Sequence, residues 1–171
     1  MSGLADTLIQ FVHANQNWAA PIILLLAFCE SFAFISLLVP ATVVILAISG
    51  FLGAAHVEFL PVYAGAVAGA FLGDWLAFEA ALHFRSAIAA VWPLSKYPEL
   101  LRRGFDLFGR WGIIIVFIGR FFGPLRAVVP IAAGAAGMSR TKFQLANFAS
   151  AIAWAVAILT PGALGVPWLL S

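Results

Sequence analysis

Two arginines lie in one of the most apolar parts of the sequence, and their spacing is suited to binding an anion. Arg120 and Arg126 flank Gly123-Pro124 within the stretch GRFFGPLRAVVP. An arginine near the centre of a membrane span costs about 2.5–3.5 kcal/mol on insertion scales, so an ionisable residue there indicates a function by default. Planar guanidinium groups bind phosphate through paired hydrogen bonds. The pattern therefore predicts a phosphate-binding site.

The Gly-Pro pair between the arginines predicts a break between two half-helices. Proline suits the first position of a helix, and glycine before it adopts backbone conformations that other residues avoid. A half-helix that begins at Pro124, with Gly123 as its cap, would direct free N–H groups and its positive end into the membrane. We therefore include Gly123 and Pro124 in the predicted phosphate site.

Two carboxylates, Glu30 and Asp74, lie in similarly apolar surroundings. A buried carboxyl group either pairs with a cation or carries a proton. The sequence leaves both interpretations open: proton coupling, or ion pairs with Arg120 and Arg126 that only stabilise the fold.

Composition assigns the chain to the integral membrane proteins. Of its 171 residues, 64% are hydrophobic and only 9% are charged, whereas soluble domains contain about 25% charged residues. A single cysteine excludes an internal disulfide, and the three histidines have no ligand spacing. We expect no metal, no cofactor, no nucleic-acid binding and no enzymatic activity, because no hydrolytic or phosphate-loop motif is present.

The apolar segments predict an all-α, polytopic bundle in one domain. Residues 18–57 and 111–138 are broken by Pro40 and by Gly123-Pro124, and proline interrupts a helix. The first run is also far longer than the ~20 residues that a span needs. The predicted parts are an interfacial helix (1–17), a first hairpin region (18–57), a span (59–82), a connector (85–110), a second hairpin (111–138) and a last span (143–165).

The charge distribution orients these parts. All nine basic residues fall between Arg85 and Lys142, and basic loops stay in the cytoplasm. The connector and the turn at Arg140 lie on the same side only if the second hairpin enters the membrane and returns. We therefore predict two opposed re-entrant hairpins in an inverted repeat, as in secondary transporters.

A stripe of small residues, Gly65, Gly69 and Gly73, lies on one face of the 59–82 span. Such stripes let a second helix approach closely. The sequence does not distinguish an internal contact from a homodimer contact.

The chain resembles the DedA family of bacterial membrane proteins, also called the SNARE-associated or VTT-domain superfamily. Similar features are Glu30 before Pro40, Gly73-Asp74, and FGRWGIIIVFIGRFFGPLR followed by Asn147 and Trp154. The resemblance implies transport of phospholipid-like molecules between leaflets, and bacterial relatives are linked to undecaprenyl phosphate recycling and proton motive force. It also implies functional roles for Glu30, Asp74, Arg120 and Arg126.

We therefore expect a multi-pass protein of the bacterial cytoplasmic (inner) membrane that moves undecaprenyl phosphate or a phospholipid head group, with membrane lipids and protons as partners. One alternative is a proton-coupled exporter of small cations, in which Glu30 and Asp74 bind the substrate directly. The other is a structural or assembly protein whose buried charges only hold the fold.

Overall fold

The computed structural model describes residues 14–31, 41–54, 58–85 and 98–163, and the ordered elements within these ranges are helical. Within these ranges a short 3-10 turn, Gln16–Trp18, precedes six α-helices. These are α1 (Ala19–Ser31), α2 (Ala41–Ala54), α3 (Phe59–His83), α4 (Pro98–Gly119), α5 (Gly123–Ala135) and α6 (Arg140–Ala163). The predicted all-α class is confirmed for the described residues.

Helices α3 and α6 are the two that are long and apolar enough to cross a membrane among the described residues. They pack against each other in opposite directions. Side-chain hydrogen bonds join Tyr63 to Thr160 (2.9 Å), the Phe71 carbonyl to Asn147 (3.1 Å) and Glu79 to Arg140 (2.8 Å). This antiparallel pair forms the framework on which the shorter helices pack.

Helix α1 fills the glycine stripe of α3 and runs in the same direction. Ala20 lies against Gly65, Leu24 against Gly69, and Phe28 and Ser31 against Gly73. A Cβ atom at any of these glycines would overlap with α1, which explains why the stripe contains glycine. The predicted close approach is thus an internal contact, and α1 covers the face that a homodimer would need.

Helix α5 continues along α3 beyond the end of α1. Gly134 packs against the backbone of Phe78 and Leu82, near the C-terminal end of α3. Arg126, near the start of α5, reaches Glu30 and Ser31 at the end of α1. The two 13-residue helices therefore lie end to end along α3, and the negative C-terminal end of α1 meets the positive N-terminal end of α5.

The extensive helix contacts form a regular pattern among the described residues. Helix α1 packs on α2 and α3, and α4 packs on α5 and α6; α3 packs on α5, and α6 packs on α2. If α1, α2 and α3 are exchanged with α4, α5 and α6, in that order, the same set of helix contacts results. Two apolar cores result, one around Ile23, Val62 and Trp154 and the other around Phe78, Val116 and Phe143.

Three predicted boundaries need correction. Helix α5 begins at Gly123, so Pro124 is its second residue and Phe122, in extended backbone, is its cap. The predicted boundary between residues 110 and 111 falls inside α4. The sequence changes there from amphipathic to apolar, but no proline interrupts the helix. The last span begins at Arg140 rather than at residue 143.

Other predictions fall on residues outside the description. These are residues 1–13 of the predicted interfacial helix, residues 32–40 (with Pro40) and 55–57 of the first hairpin region, residues 86–97 of the connector and residues 164–165 of the last span. The two opposed re-entrant hairpins and their inverted repeat stay a prediction.

Candidate functional site

Four charged side chains from four parts of the chain meet in the interior, and we name them the four-charge site: Glu30, Asp74, Arg120 and Arg126. Each residue is between 3% and 5% exposed. Glu30 lies at the end of α1 and Asp74 lies inside α3. Arg120 follows the last residue of α4, and Arg126 lies early in α5. The structure thus brings all four predicted charged residues together.

Arg120 pairs with Asp74 and is held from the other side by α6. Its Nη2 atom donates to Asp74 Oδ2 and to Asn147 Oδ1, the second bond measuring 2.5 Å. Asn147 in turn donates from Nδ2 to the carbonyl of Phe71 (3.1 Å). Because both ends of its amide are engaged, Asn147 holds its oxygen towards Arg120.

Arg126 is held on several sides. Its Nη1 donates to Glu30 Oε1 (2.7 Å), and its Nη2 donates to Ser31 Oγ (3.0 Å). The guanidinium carbon lies 4.3 Å from the centre of the buried Trp154 ring, a distance typical of a cation–π contact. The side chain therefore joins α5 to both the end of α1 and the middle of α6.

The break between α4 and α5 places both arginines. After Gly119 the chain makes a tight turn, with hydrogen bonds from Phe121 N to Ile118 O (3.0 Å) and from Phe122 N to Gly119 O (3.2 Å). Val129 of α5 packs against Gly119 so closely that a Cβ there would overlap with it. The turn thus folds α5 back on α4 and directs Arg120 and Arg126 into the same interior layer.

Several buried polar atoms of the site have no hydrogen-bond partner among the described residues. They are Asp74 Oδ1, Arg120 Nε, Arg120 Nη1 and Arg126 Nε. A buried polar atom without a partner costs roughly 1–3 kcal/mol, more if charged. The two arginines and two carboxylates balance in charge, but their hydrogen-bonding capacity is not used up. The arrangement can accept a further polar group, such as water or an anion.

Sequence reasoning identified the charges but not the groups that orient them. Ser31 adjoins Glu30 but has no signal of its own in the sequence. The sequence pattern includes Asn147 and Trp154 but indicates no role for them. An asparagine in an apolar span is itself a signal, because an amide there needs hydrogen-bond partners.

Gly123 and Pro124, which we included in the predicted phosphate site, lie in the first turn of α5. Pro40 lies outside the described residues.

A third acidic residue, Glu79, belongs to the surface. It forms an exposed ion pair with Arg140 (2.8 Å) near the C-terminal end of α3, whereas Tyr63 lies near the N-terminal end. This pair is the natural control for the buried ones.

Known proteins similar to this chain are membrane proteins. An uncharacterized membrane protein of Buchnera aphidicola subsp. Schizaphis graminum is 29% identical over 155 residues, which cover 91% of this chain and 62% of that protein. Inner membrane protein YabI of Escherichia coli K12 is 26% identical over 154 residues, covering 90% and 61%. Inner membrane protein YghB of Escherichia coli K12 is 30% identical over 104 residues, covering 60% and 47%.

The chain thus spans about three fifths of the length of YabI (61%). No solved structure matches it. The VTT domain, in contrast, matches residues 21–164, a range that includes the whole four-charge site. The chain therefore belongs to the VTT-domain (DedA) family of membrane proteins.

Proposed function

We propose that the chain is a multi-pass inner-membrane transporter that moves a lipid phosphate, either undecaprenyl phosphate or a phospholipid head group, between leaflets. The observation that carries this proposal is the four-charge site, where two buried arginines keep N–H groups without an acceptor among the described residues. A lipid phosphate needs a cationic polar site within apolar surroundings. Charge-assisted hydrogen bonds to phosphate supply the affinity.

In the proposed mechanism, the two carboxylates and the phosphate group compete for the same arginines. Asp74 and Glu30 occupy one arginine each, so a phosphate group binds by displacing a carboxylate. A proton on that carboxylate removes its charge and frees the arginine for the phosphate. Loss of the proton restores the ion pair and releases the lipid. Transport coupled to protons follows from this competition.

The helix arrangement supports the two opposed re-entrant hairpins of the proposal. Helices α1 and α5 have 13 residues each, fewer than the ~20 that a crossing needs. Helices α1 and α2 would enter and return beside the N-terminal half of α3, and α4 and α5 beside its C-terminal half. The exchangeable contact pattern agrees with an inverted repeat, whose interface forms the substrate site in many transporters.

Flipping of a fluorescent lipid phosphate in proteoliposomes tests the function. We expect Arg120→Ala and Arg126→Ala each to lower the rate at least about tenfold, because the first removes charge-assisted hydrogen bonds to the phosphate and the second breaks a buried ion pair of the same site. Arg140→Ala, which removes the exposed pair, is the control and should leave the rate unchanged. Unchanged rates in both buried-site variants would exclude the phosphate role.

A structural role is the second candidate, because each buried arginine already has a carboxylate partner. In that case the variant Arg120→Gln/Asp74→Asn, which removes one pair without leaving a charge, would keep full activity wherever it folds. Transport predicts that the same variant is folded but inactive. Size-exclusion profiles in detergent, measured beside the flipping rate, distinguish the two.

A further inference from the structure

We propose that the two arginines have different tasks: Arg120 receives the phosphate, and Arg126 fixes the end of α1 to α5 and α6. This inference rests on the proposed function and goes beyond it, because it assigns different roles to two arginines that the sequence pattern does not distinguish. The two side chains differ in their hydrogen bonds, ring contacts and surroundings.

Arg126 is committed to contacts within the protein. Both of its terminal nitrogens donate hydrogen bonds, one to Glu30 and one to Ser31. One face of the guanidinium lies over Trp154, so a ligand cannot stack there. Only Nε has no acceptor among the described residues. Releasing this side chain would separate three helices at once, which is the behaviour of a structural contact.

Arg120 is held through one nitrogen only. Asp74 and Asn147 both accept from Nη2, whereas Nε and Nη1 have no acceptor among the described residues. A guanidinium can donate through two edges, and Nη2 belongs to both. A phosphate oxygen can therefore reach Nε or Nη1 first and complete a bidentate pair at Nη2 when Asp74 withdraws. Asn147 keeps the guanidinium oriented during this exchange.

The surroundings of Arg120 also suit a lipid. Arg120 lies in the break between α4 and α5 and is followed by Phe121 and Phe122, which are 46% and 57% exposed. Ile118, just before the break, is 48% exposed. A lipid whose acyl chains lie against these apolar side chains has its head group beside Arg120. Arg126, in contrast, lies between the end of α1 and the Trp154 ring of α6.

Two charge-balanced variants of the full chain separate the tasks. Arg120→Gln/Asp74→Asn removes the proposed receiver, and Arg126→Gln/Glu30→Gln removes the proposed clamp, each without leaving an unpaired charge. Binding of short-chain phosphatidic acid to the detergent-solubilised protein is measured by calorimetry, and thermal unfolding is measured beside it. Trp154→Leu, which weakens the Arg126 contact without changing charge, serves where the second double variant does not fold.

We expect the receiver variant to raise Kd about 10–100-fold, because phosphate loses charge-assisted hydrogen bonds. The clamp variant, or Trp154→Leu, should lower Tm more than the receiver variant does and raise Kd less. A Kd increase in the clamp variants that equals or exceeds the increase in the receiver variant overturns the division of tasks. Failure of the wild-type chain to bind or flip any lipid phosphate instead overturns the proposed function, and the division with it.

Discussion

At the residue scale, the four-charge site consists of two ion pairs with different surroundings. Each joins residues that are far apart in sequence: Arg120 with Asp74, and Arg126 with Glu30. Removing one member of a buried pair leaves an uncompensated charge, whereas removing both can be nearly neutral. The pairs therefore connect helices that are distant in sequence. We expect a large loss of stability when one member of a pair is removed and a smaller loss when both members are removed.

The Arg126–Glu30 pair gives the first prediction. Glu30→Gln should lower the free energy of unfolding by about 3–5 kcal/mol, and adding Arg126→Gln should recover part of that loss, because the double variant leaves no uncompensated charge but still lacks the contacts between α1 and α5. Denaturant titration in detergent measures both. Arg140→Gln at the exposed pair should leave the unfolding midpoint unchanged. A double variant as unstable as the single one would contradict a pair that acts as a unit.

Asn147 gives a second prediction at this scale. Asn147→Leu removes one of the two acceptors of Arg120 Nη2 and the side-chain donor to the Phe71 carbonyl, so we expect a loss of about 1–3 kcal/mol in unfolding free energy. Ser150→Ala on the same helix is the control. Its hydroxyl donates only to the Asn147 carbonyl, one turn back, so its removal leaves no buried donor unpaired. Equal effects of the two substitutions would argue against a bridging role for Asn147.

At the scale of elements, α3 determines where the short helices lie. Its glycines admit α1 along one half, and Gly134 of α5 lies against the other half. The end-to-end placement of α1 and α5 brings their charged residues to Asp74. The site thus depends on backbone contacts that only small residues permit.

Substitution of the stripe glycines tests this dependence. A Cβ at Gly69 would collide with the backbone of Leu24, whereas one at Gly109 meets nothing within 4 Å. Gly69→Ala should destabilise by at least the ~1–3 kcal/mol of an overpacked core. Gly109→Ala in the exposed part of α4 should stabilise by up to about 1 kcal/mol through helix propensity. Thermal unfolding in detergent compares them, and equal Tm values would refute the close contact.

The sequence predicts the helices better than it predicts their partners. Proline, glycine and apolar length indicate the breaks and the long spans, and the boundary errors occur where the helix signal is continuous, as at Arg110-Trp111. The stripe at Gly65 to Gly73 indicates a close neighbour but does not identify α1, because α1 is apolar on all sides. The pairing of Arg120 with Asp74 depends on how α1 and α5 align on α3. The local sequence does not encode this alignment.

At the scale of the whole molecule, two basic residues outside the four-charge site lie at the same end. Arg85 lies beside Gly137, and Arg140 pairs with Glu79, all near the C-terminal end of α3. By the positive-inside rule we predict that this end faces the cytoplasm. Gln16 and Glu58 lie towards the opposite end.

Cysteine labelling tests this arrangement together with the first hairpin. In a Cys29→Ser background, an impermeant thiol reagent applied to spheroplasts should label Gln16→Cys and Glu58→Cys equally, because a re-entrant hairpin returns to its own side. Thr141→Cys should react only after lysis. Labelling of Gln16→Cys and Glu58→Cys from opposite sides would show that the first hairpin region crosses the membrane.

The four-charge site lies beside the middle parts of α3 and α6, away from their ends, and this position has an electrical consequence. Under the proposed function the empty site carries balanced charge, so the membrane potential does little work on it. A phosphate that arrives alone brings negative charge into the field, where a full crossing is worth about 2.3 kcal/mol per charge per 100 mV. A monoanionic phosphate accompanied by one proton leaves the site neutral. Its translocation would then be electrically silent and would depend on the pH gradient but not on voltage.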